Sequence, residues 1–290
     1  MDQRIIDLYD EYTHKPLTRE EFLRRLAVLT GSMTAALAIL PGIEVNMAHA
    51  ATVPMQDDRI TAEKITYQGD GTMMNAYVAM PKVSTPLGRQ KLPAVMVIHE
   101  NRGLNAHIED VTRRVALAGF IGFAPDALSV FGGAPADADQ ARELFTKLDA
   151  QKNLNNFLRG FDHLKDMKAC NGKFGCVGFC WGGALANQLA VNMPKLKAAV
   201  SFYGKQPEAV DVARIKASVM LHYAAADERI NTGIPAYEAA LKAAGVRYEL
   251  FMYENTQHAF HNDTAPTRYN EAAAKLAWGR TIDFFNKELK

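Results

Sequence analysis

The sequence predicts an α/β protein: a mostly parallel central sheet flanked by helices, preceded by an N-terminal leader or helical arm. Three observations carry this prediction. Eight short β-type runs recur along the chain. From the third onward they alternate with helical runs, an alternation that calls for crossover connections and parallel strands. The chain is 290 residues long and 48% hydrophobic, so about 240 residues remain once a leader is set aside, enough for one domain with a sizeable core.

Residues 1–50 stand apart from a single domain over 51–290. The apolar stretch LAVLTGSMTAALAIL (26–40) follows FLRR and precedes Ala48-His49-Ala50, an A-x-A cleavage pattern, and reads as an export signal. TREEFLRR resembles a twin-arginine leader, but Glu20 takes the place of the second arginine and DLYDEYTH before it is acidic. The alternative is an uncleaved helical arm that packs on the domain or on a partner. Cleavage implies a periplasmic or secreted protein, and retention a cytoplasmic one.

Within the domain, KITYQ and MNAYVAM are expected as an antiparallel pair at a sheet edge, joined through QGDGT. PAVMVIH, GFIGFAP, FGCVGF, KAAVSFY, SVMLHY and RYELFMY supply the parallel strands. EDVTRRVALAGF, ALANQLAVNM and IPAYEAALKAAG read as helices between them, and APADADQARELFTKLDA (134–150) reads as a helical insertion at the site mouth or an ordinary surface helix. No repeat or low-complexity tract interrupts the series.

FGCVGF leads into GFCWGG (178–183) and a helical run leads out, which is the nucleophile-elbow pattern G-x-S-x-G with Cys180 in the serine's place. So sharp a strand-to-helix turn cramps the backbone, and Gly178 and Gly182 leave room for neighbouring chain. The helix that follows directs its N-terminal amides and positive dipole end at the sulfur. Both favour thiolate over a free thiol, whose ordinary pKa is about 8.5. The alternative reading of Cys180 is a small buried hydrophobe.

Such a nucleophile needs a base and an orienting carboxylate, each just past a strand end, in the order nucleophile, acid, histidine. Asp227 follows SVMLHY and His258 follows RYELFMY. Glu228 and His261 are their local competitors, and Asp227 and His258 are preferred as the first candidates after each strand. An oxyanion hole takes the backbone N–H after the nucleophile and another from an earlier strand-end loop. Trp181 and Asn101 are the candidate donors, and Glu100 lies at the end of the same strand as Asn101.

With these residues in place, the chain from about 60 to 288 resembles the dienelactone hydrolase family of α/β-hydrolases. HENRG, EDVTRRVALAGF, APDAL, GFCWGG, the Asp227 loop and HAFHND fall in that family's order. The resemblance implies an α/β-hydrolase fold and a triad of Cys180, Asp227 and His258. It also implies that Glu100 holds the thiol protonated at rest and shifts when substrate binds. The chain departs from the family where two substrate-binding arginines are expected: Leu128 or Ser129 stands at one place and Asn262 at the other. Their loss predicts weak preference for carboxylated substrates. Arg102 and Arg268 are expected to be solvated.

The chemistry implied is a two-step acyl transfer on lactones, enol-esters or activated esters, because a thiolate leaves as readily as it attacks and suits poor leaving groups badly. A small-molecule ester or lactone is the expected substrate, with no cofactor. A net charge of +1 gives no electrostatic footprint for nucleic acid or an anionic membrane. His258 and His261 lack companions at ligand spacing, so metal binding is weakly supported. Cys170 and Cys176 are a possible disulfide pair in an oxidising compartment. Two rival functions remain: a thiol redox sensor in which Cys176 or Cys170 resolves an oxidised Cys180, and a non-catalytic binding protein on a hydrolase fold.

Overall fold

The computed structural model describes residues 2–15, 17–43, 52–82 and 91–290. The cleavage pattern Ala48-His49-Ala50 lies outside the described residues. Eight strands form one sheet in the order β1-β2-β4-β3-β5-β6-β7-β8. They are β1 (Ile60–Gln68), β2 (Met73–Pro81), β3 (Leu92–Ile98), β4 (Ile121–Pro125), β5 (Cys170–Phe179), β6 (Ala198–Phe202), β7 (Ser218–Ala226) and β8 (Tyr248–Gln257). β1 and β2 pair antiparallel at the edge, β2 joins β4 antiparallel, and the pairings from β4 through β8 are parallel. The architecture is the mixed, mostly parallel sheet that the sequence predicts.

Strand alternation divides the core into two layers. Ala94, Met96 and Ile98 of β3 face one cluster, and Val95 and Val97 between them face the other. The first layer is closed by α6 (Ala150–Asp166), α7 (Trp181–Asn192) and α9 (Ile234–Ala243), through Phe157, Phe161, Leu189 and Leu241 among others. The second is closed by α4 (Ala106–Leu117) and α10 (Glu271–Leu289), through Ile108, Val111, Phe284 and Phe285. α6 and α10 add to the helices expected from the sequence. The remaining short helices of the domain are α5 (Ala138–Phe145) and α8 (Glu228–Asn231).

The N-terminal segment forms three helices, α1 (Gln3–His14), α2 (Arg19–Thr30) and α3 (Met33–Ile43). The apolar run expected over 26–40 is broken at Gly31, which takes φ 85° and ends α2 in a left-handed cap. The α2–α3 pair is bent by 108°. Among the described residues no single helix is long and apolar enough to cross a membrane, although that bent pair reaches the length and composition together. The three helices share a cluster of their own around Tyr9, Tyr12, Phe22, Leu26 and Leu40, separate from both layers of the domain.

The three cysteines are free. Cys170 and Cys176 lie six residues apart on β5, roughly 20 Å at the rise of an extended strand, whereas a disulfide spans about 4.4–6.8 Å between Cα atoms. The possible pairing is therefore excluded by strand geometry.

Candidate active site

Parallel strands deliver their C-terminal ends to one edge of the sheet, and each predicted site residue is among the first three to leave a strand there. His99, Glu100 and Asn101 follow β3, Cys180 follows β5, Asp227 follows β7 and His258 follows β8.

Cys180 caps α7 with φ 55° and ψ −113°, a left-handed backbone for a non-glycine residue. The bend is held by its own N–H, which donates to Phe202 O (3.0 Å), and by its carbonyl, which accepts from Ala184 N (3.1 Å). The flanking glycines are sterically required: a Cβ on Gly178 lands 1.9 Å from Gly182 O, and one on Gly182 lands 2.4 Å from Ile98 O. Trp181 N–H, at the first residue of α7, is one of the amides without an intrahelical partner. Its indole stacks on His99 with ring centroids 5.4 Å apart.

His258 is buried, and Nδ1 meets Asp227 Oδ2 at 2.6 Å. Its other side engages Cys180. Burial alone lowers the imidazole pKa; the facing charge on Cys180 and the hydrogen bond to Asp227 outweigh that and raise it to about 10. The structure thus brings Cys180, His258 and Asp227 together. The competitors lie elsewhere: Glu228 is exposed at the start of α8, and His261 is buried against Phe179, with ring centroids 4.9 Å apart. Burial pushes the His261 imidazole well below its ordinary value, so it stays neutral.

Glu100 is turned toward Asn262, whose Nδ2 donates to Oε2 at 2.6 Å, and toward Tyr203, whose hydroxyl donates to Oε1 at 3.4 Å. Asn262, where the family pattern expects arginine, therefore tethers Glu100. Leu128 and Ser129 are buried and structural, with the Ser129 hydroxyl donating to Asp126 O and accepting from Asn75 N. Asn101 donates its side-chain amide to Thr13 O of α1 (2.7 Å) and accepts from Arg102 through Oδ1 (2.8 Å). Arg268, expected to be solvated, is 8% exposed, lies against Asp10 of α1 and covers the Tyr9 ring. Arg102 is likewise half-buried and committed to Asn101.

A cavity of about 380 Å3 opens on these groups. Trp181, Ala184, Phe145, Tyr203 and Ile230 give it an apolar lining beside Cys180 and His258. Lys15, Arg142, Lys205 and Arg229 also line it, with no carboxylate among the lining residues. Three of these cations are paired with carboxylates that do not line the cavity: Lys15 with Glu11, Arg142 with Asp139 and Arg229 with Asp10. Two residues escaped the sequence reading. Tyr203 is the first residue past β6, with φ 40° and its ring centroid 5.0 Å from that of His258; the strand-end rule that found Asp227 reaches it as well. Burial and the adjacent Glu100 and Cys180 charges push its phenol well above the ordinary range, keeping it a donor. The second, Phe145, comes from α5, which settles the 134–150 insertion at the site mouth.

Comparisons with known proteins agree with this architecture. The Dienelactone hydrolase family matches residues 74–289. A protein of Escherichia coli O157:H7 named "Putative carboxymethylenebutenolidase" is 33% identical over 250 residues, covering 81% of this chain and 90% of its own. One of the same name from Methylorubrum extorquens is 29% identical over 280 residues, covering 91% and 92%. A Klebsiella pneumoniae crystal structure described as a dienelactone hydrolase superposes with a TM-score of 0.71 at 29% identity, covering 79% of this chain and 99% of its own. The fold is therefore that of the α/β-hydrolases, and the chain belongs to the dienelactone hydrolase family.

Proposed function

We propose that the protein hydrolyses lactones, enol-esters or activated carboxylic esters, with Cys180 as nucleophile and an acyl-thioester as intermediate. One observation carries this reading: a cysteine on a strained strand-to-helix bend faces an imidazole that a buried carboxylate orients at 2.6 Å. The Cys180 thiolate adds to the substrate carbonyl carbon, and the carbonyl oxygen takes the electron pair. Trp181 and Asn101 N–H groups donate to that oxyanion. Collapse breaks the ester C–O bond, and the leaving oxygen takes the proton of the His258 imidazolium. Water then attacks the thioester and gives a proton to His258. The second collapse releases the acid and restores the thiolate. Glu100 is the group that holds the thiol protonated at rest and shifts when substrate binds; its place on Asn262 and Tyr203 is the shifted arrangement, which leaves the thiolate to attack. The four cations lining the cavity support acceptance of esters that carry an anionic substituent.

The redox-sensor reading is disfavoured by placement. Cys176 is fully buried in one layer of the core and Cys180 belongs to the other, so a bond between them requires β5 to unpack. The test is p-nitrophenyl acetate hydrolysis. Wild type gives a burst followed by turnover, Cys180→Ala and His258→Ala lose it, and Cys176→Ala keeps it. Retained turnover in Cys180→Ala overturns the proposal.

A further inference from the structure

Among the lining residues of the 380 Å3 cavity, Thr13 and Lys15 belong to the N-terminal helices rather than to the sheet domain. The end of α1 stands opposite Cys180 and His258 across that space, and Tyr9 and Thr13 also edge a narrower gap bounded by Glu100, Cys180, His258 and Arg268. The family match begins at residue 74, and Thr13 and Lys15 precede it.

Polar side chains fix the arm there. Asp10 lies 3.7 Å from both Arg229 and Arg268, which leave the loops carrying Asp227 and His258. The Tyr12 hydroxyl donates to Asp139 Oδ1 (2.5 Å), Arg19 pairs with Asp139 Oδ2 (2.5 Å), and Arg142 lies 4.3 Å over the Tyr12 ring. Arg142 also donates to Leu17 O, and Gln257 donates to Gln3. Asn101, on the loop of the candidate oxyanion donor, is anchored on Thr13 O. These contacts hold the arm over the site opening.

We propose that the arm belongs to the working enzyme as a specificity wall, in which Thr13 and Lys15 limit the length of the acyl group that the cavity admits. This rests on the ester-hydrolase reading above. The physical reason is volume: the space is at the small end of ligand cavities, about 300–1,000 Å3, and Thr13 and Lys15 of the arm form part of its wall. Lys15 is exposed and its ion pair with Glu11 is long, 4.0 Å, so its side chain can be changed without touching a core.

The experiment measures kcat/KM for p-nitrophenyl acetate, butyrate and octanoate with the full chain and three variants. These neutral esters keep charge out of the readout. Lys15→Ala is expected to raise the octanoate-to-acetate ratio by about tenfold and Lys15→Trp to lower it by a similar factor, in line with about 10–200-fold per methylene in a fitted pocket. Lys15→Met, similar in reach but uncharged, keeps the ratio within about twofold of wild type; the readout is the ratio within each variant, so a change in overall rate does not enter it. Opposed shifts for alanine and tryptophan support the wall. Ratios that do not move, or that move together, overturn it while acetate turnover still stands for the ester hydrolase. Absence of acetate turnover in wild type instead overturns the function itself.

Discussion

Cys180 and His258 are bound by charge as well as by position. The imidazole, raised to about 10, lies above its ordinary value of about 6.5. A folded-state value raised in this way gives stabilisation that is complete below about pH 6.5 and fades as pH climbs through about 10. With Glu100 held on Asn262 and Tyr203, the expected state of the pair across neutral pH is thiolate and imidazolium. Alkylation of Cys180 by iodoacetamide is expected to be fast already at pH 7 and nearly flat to pH 9. In His258→Ala it should fall at pH 7 and climb with pH through the free-thiol range near 8.5. Cys180 lines the cavity, whereas burial raises the thiol pKa of Cys170 and Cys176, so the reaction reports on one sulfur. A wild-type profile that tracks an ordinary thiol rules out the ion pair. At this scale the sequence reveals Cys180, Asp227 and His258, because order along the chain and position after each strand are local properties. It hides the Asn262–Glu100 hydrogen bond and the Tyr203–His258 contact, which exist only once separate strand ends meet.

The elbow between β5 and α7 is the element on which the site turns, and Gly182 is where it packs against the end of β3. A methyl group there falls 2.4 Å from Ile98 O and 2.5 Å from His99 O, backbone atoms of the strand that leads to Glu100 and Asn101. Gly182→Ala is expected to cost about 1–3 kcal/mol, as overpacking does, and to lower kcat more than it raises KM by displacing the oxyanion loop. The exposed α10 residue Gly279, with open space around its added Cβ, is the control. Gly279→Ala should gain about 0.5–1 kcal/mol. Urea midpoints at constant m-value check both, and equal shifts in the two variants contradict the steric account. Legibility at this scale follows periodicity. The central strands β3 to β7 are visible as apolar runs because they are buried on both faces, whereas β1, β2 and β8 show as β-type runs of mixed character. In the 26–40 stretch, apolar content alone does not show that Gly31 divides it between two helices packed on each other.

The relation of the arm to the domain belongs to the molecule as a whole. Nothing in residues 1–43 signals contact with loops more than two hundred positions away, because the contacts are single polar side chains rather than a periodic face. Asp10 is the clearest case. Replacing it with asparagine leaves the nearly buried Arg268 guanidinium facing a neutral group. A fully buried pair broken in this way costs about 3–5 kcal/mol. The Asp10 side chain is 22% exposed and its oxygens stand 3.7 Å from each guanidinium, so the interaction is longer than a hydrogen bond and partly screened; about 1–2 kcal/mol is the expected loss. Because the arm has its own apolar cluster, that loss should appear as detachment of the arm rather than as unfolding of the sheet domain. Limited proteolysis of the full chain is expected to cut within residues 3–43 several times faster in Asp10→Asn than in wild type. The domain's urea midpoint should barely change, and Asp10→Glu should restore much of the protection. Equal cleavage rates show that Asp10 does not hold the arm; a midpoint that falls with the arm's protection shows that arm and domain unfold as one unit.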